Sequence, residues 1–216
     1  MSGLLLLAAS GLAREVLAVP GLLQRHASVT LLDDDPARWG TEVHGHPVRG
    51  GLELAGEYPD HRLLVCVGRG AARRAVVRRL HGLGVRPDRY ATVVHPDVRV
   101  PPGCRVGRGS VLLAGVVLTA DVEVGEHVVV MPHATLTHDV VLEEFATVCA
   151  GVQLGGGVRV GTGAYLGMAA AVRERLVVGA DAVLGMGAVL TADLPPGETW
   201  AGVPARPLRR PVEVEG

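Results

Sequence analysis

Lysine, isoleucine and asparagine do not occur anywhere in the 216 residues, so every one of the 21 basic residues is an arginine. A GC-rich genome imposes that usage, which removes the arginine excess as a sign of function. It also leaves Val, Leu and Gly to do what Ile and Asn do elsewhere. With 22 acidic residues against the 21 basic ones, there is no overall basic footprint of a nucleic-acid binder. Cysteine is sparse: Cys66, Cys104 and Cys149 are scattered without CxxC spacing. That argues against a disulfide framework or a thiolate zinc site and fits a reducing cytoplasm. Long apolar runs are missing too, so no membrane-spanning segment is expected. The opening "MSGLLLLAASGLA" carries a leucine run, but a short one with no Lys or Arg before it, so a cytoplasmic protein is expected rather than a secreted one.

What the chain has in abundance is a period of six. Counting in sixes from Val100 to Leu190 gives sixteen positions, and all sixteen are Val or Leu. Four places further on, from Cys104 to Leu194, every residue is small or aliphatic. Glycine recurs just after the ruler residue, at 107, 125, 155, 161, 167, 179 and 185. Six is neither a helix face nor a flat-sheet alternation. A hexapeptide period marks a β-helix in which each unit is a short strand and a corner, three units to a coil. The reading is about five coils over residues 98–194, with those glycines easing corners that need positive φ.

Residues 1–90 lack the period. "GLLLLAAS", "SVTLLDDD" and "HRLLVCVGRG" read as buried strands alternating with the helix-like "AREVLAVPGLLQRH" and "AARRAVVRRLHGLG". That order predicts a small Rossmann-like α/β domain with a parallel sheet. Ligands of such sheets lie beyond the carboxyl ends of the strands, here Ser10–Gly11, Asp33–Asp34 and Gly68. A full GxGxxG is missing and ninety residues lack room for a dinucleotide, so a smaller nucleotide conjugate fits better. Residues 91–97 read as a linker and 195–216 as a C-terminal tail.

The chemistry falls at one corner of the coil. His138 and Asp139 follow the ruler residue Leu136 by two and three places, and one coil of eighteen residues beyond 138 lies Gly156. This stacks an imidazole on a bare peptide group. A neutral His can take a proton from an attacking amine or hydroxyl, an amide can donate to a developing oxyanion, and Asp139 can hold the imidazole's tautomer. A neighbouring corner column, Ala114, Pro132, Ala150, Met168 and Met186, forms an apolar wall suited to a thioester arm or to a neighbouring subunit.

The order "AASGLAREV", "LLDDD", "VCVGRG", "THDVVLEEFATVCAGVQLGGGVRVG" and "DLPPGETWAGVPARPLR" resembles the PglD/NeuD-like sugar acetyltransferases of the hexapeptide-repeat superfamily. The resemblance implies a left-handed parallel β-helix, a homotrimer, and acetyl transfer from acetyl-CoA to the amine or hydroxyl of a nucleotide-linked sugar. It makes His138 the general base and Asp139 its support. Gly156, Met168 and Met186 fall along acetyl-CoA, and Ser10, Gly11, Asp33, Asp34 and Gly68 at the nucleotide sugar. No metal is expected. The first turn departs from the family's GxSGHG: Ala8 and Ala13 replace glycines and Leu12 the histidine, which bears on the acceptor. Two alternatives stay open. In a γ-type carbonic-anhydrase-like zinc enzyme, His133 and His138 would be ligands and Asp97 or His95 would stand near the third position. In a non-catalytic trimeric scaffold, the front domain would only bind nucleotide sugars. N- versus O-acylation, the sugar, its nucleotide, the acyl length and the role of residues 207–216 are not legible.

Overall fold

The computed structural model describes residues 2–208; part of the tail, residues 209–216, lies outside them. Three four-residue strands open the chain: β1 (Leu4–Leu7), β2 (Val29–Leu32) and, after a small hairpin of β3 (Glu42–Val43) and β4 (His46–Pro47), β5 (Arg62–Val65). They form a parallel sheet in the order β2-β1-β5. Helix α1 (Gly11–Leu17) follows β1 and α2 (Gly70–Gly82) follows β5. Almost every residue of the three strands is buried, because both faces of the sheet are covered. Leu4 and Leu6 pack with Val16 of α1 and with Val111 and Val129 of the coil. Leu5 and Leu7 pack with Val77 and Leu80 of α2. Continuous apolar strands of this kind belong to parallel sheets with two covers.

From Arg105 onward two-residue strands recur every six residues and stack on their equivalents eighteen residues away, all in parallel, into three faces. Five full coils end at Leu190, and Thr199–Ala201 adds a partial sixth on the face of Val183–Leu184. The interior is aliphatic: all fourteen ruler residues from Leu112 to Leu190 are at most 5% exposed. The ruler starts later than its sequence pattern, since Val106 is half-buried and Val100 is 40% exposed, ahead of the first coil. The segment 91–97 carries β6 (Val93–Val94), which pairs in parallel with Val111–Leu112, while Tyr90 bridges Leu63 of β5. The chain therefore passes from one sheet to the other within a few residues.

The corner glycines have a different cause from the one their spacing implied. At Gly107, Gly125, Gly155, Gly161 and Gly167 φ is ordinary, but a Cβ would lie within 3 Å of the backbone of the next coil. Space, not φ, requires glycine there. The left-handed residue comes two places later, in the column Gly103 to Gly187, where all fifteen residues have positive φ. Eight of the fifteen are not glycine: Asp121, His127, His133, Asp139, Phe145, Ala169, Arg175 and Asp181. Asp and His visit this region more readily than most side chains, whereas Phe145 and Arg175 do so because the coil leaves no alternative.

Candidate active site

His138 and Asp139 occupy the corner between the strands Thr135–Leu136 and Val141–Leu142. Asp139 is the left-handed residue of that corner, with φ of 60°. Its N–H donates to Ala120 O at 3.0 Å in the coil before, and Gly157 N–H donates to His138 O at 2.8 Å from the coil after. The corner is thus fixed by backbone bonds, leaving both side chains to face solvent, 67% and 66% exposed. His138 Nδ1 lies 2.7 Å from Asp139 Oδ2. With the carboxylate accepting, Nδ1 carries the proton and Nε2 keeps its lone pair.

One coil further on, Gly156 lies against the imidazole. A Cβ there would stand 2.4 Å from both Cε1 and Nε2 of His138. The N–H groups of Gly155 and Gly157 are both donated, to Val172 O and His138 O. That of Gly156 has no acceptor among the described residues, so it is a free donor on the residue that meets the ring. A depression of about 430 Å³ adjoins this corner, lined by Thr135, Thr137, Gln153, Gly155, Ala171 and Arg173 among others. Met168 and Met186 stack eighteen residues apart and are 52% and 72% exposed, but they sit at a different corner. The face that includes Thr135–Leu136 separates them from His138 within one chain.

In the front part, a cavity of about 460 Å³ is lined by Ala9, Ser10, Gly11, Arg14, Arg38, Glu42, Val43 and His44. Ser10 caps α1 and donates its hydroxyl to Cys66 O at 2.5 Å. Asp33 sits at the cavity's edge: its carboxylate accepts from Ala9 N at 2.7 Å and Asp35 N at 2.9 Å, and Arg38 lies 3.8 Å away. It braces the turn after β1 and faces Arg38. Asp34 turns the other way, to Leu52 N and to Arg79 of α2 at 2.6 Å. Gly68 O accepts from Arg73 and Thr147 at the junction with the coil. Of the five front residues proposed from sequence, then, Ser10 and Gly11 line the cavity, Asp33 supports it, and Asp34 and Gly68 lie outside it. Arg14, Arg38, Glu42 and His44 escaped the sequence reading; the signal for the two arginines was their position, four residues after Ser10 and just after the acidic run. His133 and His138 stand at successive corners at opposite ends of Thr135–Leu136, and His95 Nδ1 accepts from the Asp97 N–H at 3.2 Å. Among the described residues no three His, Cys, Asp or Glu side chains converge as a metal-binding group. No described helix is long and apolar enough to cross a membrane.

No family model matches the chain. Among curated proteins, a segment of 75 residues is 33% identical to the UDP-N-acetylbacillosamine N-acetyltransferase of Bacillus subtilis (strain 168). That segment is 35% of this chain and spans a third of the length of that relative. Among solved structures, the acetyltransferase domain of PglB from Neisseria gonorrhoeae FA1090 superposes with a TM-score of 0.87 at 32% identity, over 96% of this chain and 100% of that one. The chain belongs to the hexapeptide-repeat sugar N-acetyltransferases. The coil is accordingly the left-handed β-helix of that family, preceded by its Rossmann-like part. The same PglB domain has been solved with acetyl coenzyme A. PerB from Caulobacter crescentus, solved in complex with CoA and GDP-perosamine, superposes at TM-score 0.86 and 29% identity over 97% of this chain and 98% of that one.

Proposed function

We propose that this protein is an acetyl-CoA-dependent acetyltransferase acting on the amine, or a hydroxyl, of a nucleotide-linked sugar, with His138 as general base. The acceptor nitrogen attacks the thioester carbonyl and gives its proton to His138 Nε2. The oxygen that becomes negative accepts a hydrogen bond from the Gly156 N–H, a contribution of about 3 kcal/mol in comparable sites. Collapse of the tetrahedral intermediate expels the CoA thiolate, which takes the proton back from the imidazolium. Asp139 holds Nδ1–H throughout and stabilises the transient positive ring. One observation carries this reading: an exposed imidazole, tied at Nδ1 and free at Nε2, lies against a peptide group whose N–H is unused.

Residues 1–90 would hold the nucleotide sugar, with Arg14 and Arg38 available for its phosphates, and residues 98–194 would perform the transfer. The layout of the coil supports a homotrimer. The front part covers the face of Val111 and Val129, and His138 lies at the corner opposite that face. A sugar held over Ser10 and Gly11 therefore does not meet the base of its own chain. Three coils around a three-fold axis bring the His138 corner of one protomer to the methionine corner and front part of its neighbour. Three free cysteines suit a cytoplasmic enzyme of this kind.

The test is thiol release from acetyl-CoA against a panel of UDP-, dTDP- and GDP-linked amino sugars, with oligomer mass measured in parallel. His138→Ala lowers turnover about 10²- to 10⁴-fold while the trimer persists. Undiminished activity in that variant removes the mechanism.

A further inference from the structure

The most unusual side chain outside the site is Arg73, on α2, which is 0% exposed and has no carboxylate among its hydrogen-bond partners. A buried guanidinium without an acid is costly unless its donors are all used. Here they are. Nε donates to His127 O at 2.7 Å, Nη1 to Val67 O at 2.6 Å and Gly68 O at 3.0 Å. Nη2 reaches Phe145 O at 2.8 Å, Ala146 O at 3.0 Å and Thr147 Oγ1 at 3.1 Å. Two of these acceptors belong to the loop after β5. The other four belong to two successive coils: the equivalent corner residues His127 and Phe145, eighteen residues apart, then Ala146 and Thr147, the latter opening the next strand. Thr147 closes the arrangement by donating its hydroxyl to Gly68 O at 2.8 Å.

The loop that Arg73 holds also reaches the front cavity. Cys66 O, one residue before Val67, accepts from Ser10 Oγ, which lines that cavity and caps α1 through Ala13 N. A polar route thus runs from the coil through Arg73 and the 66–68 loop to Ser10. The fit at its start is close: a Cβ on Gly70 would stand 2.2 Å from Phe145 O and 3.0 Å from the Cα of Gly163. The first residue of α2 rests directly on the coil.

We infer that Arg73 is a positioning residue that sets the front cavity at a fixed height and angle on the coil, so that an acceptor tethered by its nucleotide arrives where the acyl group is held. It touches no substrate. This rests on the acetyl-transfer reading above, because only a reaction that brings together two ligands held by two parts of the chain needs such registration. Reactivity falls steeply with small misplacement, about 10²-fold for about 1 Å, whereas binding at each part separately is untouched.

The test compares Arg73→Met, Arg73→Lys and wild type with three readouts: turnover of a nucleotide-linked amino sugar from the panel, turnover of the same sugar type without its nucleotide at high concentration, and CoA affinity by calorimetry. Arg73→Met is expected to lower kcat for the tethered acceptor about 10- to 10²-fold. Its KM for that acceptor, its rate with the free sugar and its CoA affinity should each stay within about two-fold. Arg73→Lys, which keeps part of the bonding, lies between. A purely structural role lowers all rates together with the folded fraction and overturns the inference, as does unchanged kcat. If Arg73→Met does not fold, Thr147→Val removes one bond to Gly68 and one from Nη2; a drop of about three-fold confined to the tethered acceptor supports the inference, and none overturns it. A wild type inactive on every acceptor refutes acetyl transfer itself, a result distinct from either outcome.

Discussion

Gly156→Ala isolates the geometry on which the mechanism depends. The added Cβ would stand 2.4 Å from Cε1 and Nε2 of His138. Non-bonded carbon atoms settle near 3.5–4.0 Å, so the ring has to withdraw by about 1 Å or more. The other neighbours cannot yield, since Gly157 N–H and Arg175 N–H bond the carbonyls on either side of the contact, His138 O and Gly156 O. As the ring swings out, its 2.7 Å bond to Asp139 stretches beyond hydrogen-bonding range. Gly156 is not a left-handed residue, so the methyl brings no backbone penalty. The His138–Asp139 pair is two-thirds exposed and supports stability only slightly, by under about 1 kcal/mol. The expectation is a large kinetic effect with a small thermodynamic one: kcat down about 10²-fold, with the melting temperature and oligomer mass essentially unchanged. Steady-state thiol release and calorimetry read the two quantities. Gly84→Ala is the converse case, a left-handed glycine with open space around it, expected to lose about 1 kcal/mol of stability with full turnover. A Gly156→Ala enzyme with wild-type kcat refutes the stacking of base on peptide as the catalytic feature.

Three further outcomes depend on single residues. Ala8 has a φ of 85°, a conformation that penalises any Cβ by about 1–2 kcal/mol, so Ala8→Gly should raise unfolding stability by about 1 kcal/mol in urea titration. Asp139→Asn keeps a side chain that tolerates its φ of 60° but replaces the acceptor for Nδ1–H. In a buried triad that exchange lowers kcat about 10⁴-fold, and at this exposed corner about 10- to 10²-fold is expected. His127 is pushed down to about 4, chiefly by burial and then by the Arg73 charge and His81. The unfolded chain therefore takes up a proton between pH 6.5 and 4 that the folded chain refuses. That stability is fully present above pH 6.5 and is lost as pH falls, by up to about 3 kcal/mol; His127→Phe should flatten this part of the pH–stability curve.

The coil was legible in the sequence because its inward positions carry one kind of residue and recur without insertion from Leu112 to Leu190. The contact between His138 and Gly156 was legible for the same reason, since a constant eighteen-residue coil turns sequence distance into spatial neighbourhood. Three things were not. The glycines at 107, 125 and 155 announce themselves by spacing, but whether φ or crowding requires them depends on the adjacent coil's backbone. Asp33 and Asp34 look equivalent in "LLDDD", yet successive residues of an extended chain point apart, one toward Arg38 and the other toward Arg79. Arg73 is hidden among the basic residues of "AARRAVVRRL", where only its place on the inward side of α2 separates it from its exposed neighbours.

The stacking of identical rungs restricts how this chain can change length. Six added residues turn everything downstream by a third of a circuit and carry a side chain to another edge of the prism. Eighteen added residues leave every edge where it was and displace the later rungs by one strand spacing, about 4.8 Å. An enzyme of this design can therefore grow or shrink only in whole storeys. Storeys added beyond Met186 leave the base and the contacts of the front part with Gly163 and Asp181 where they are, while one inserted between Val111 and His138 shifts the base from the front part by a fixed step.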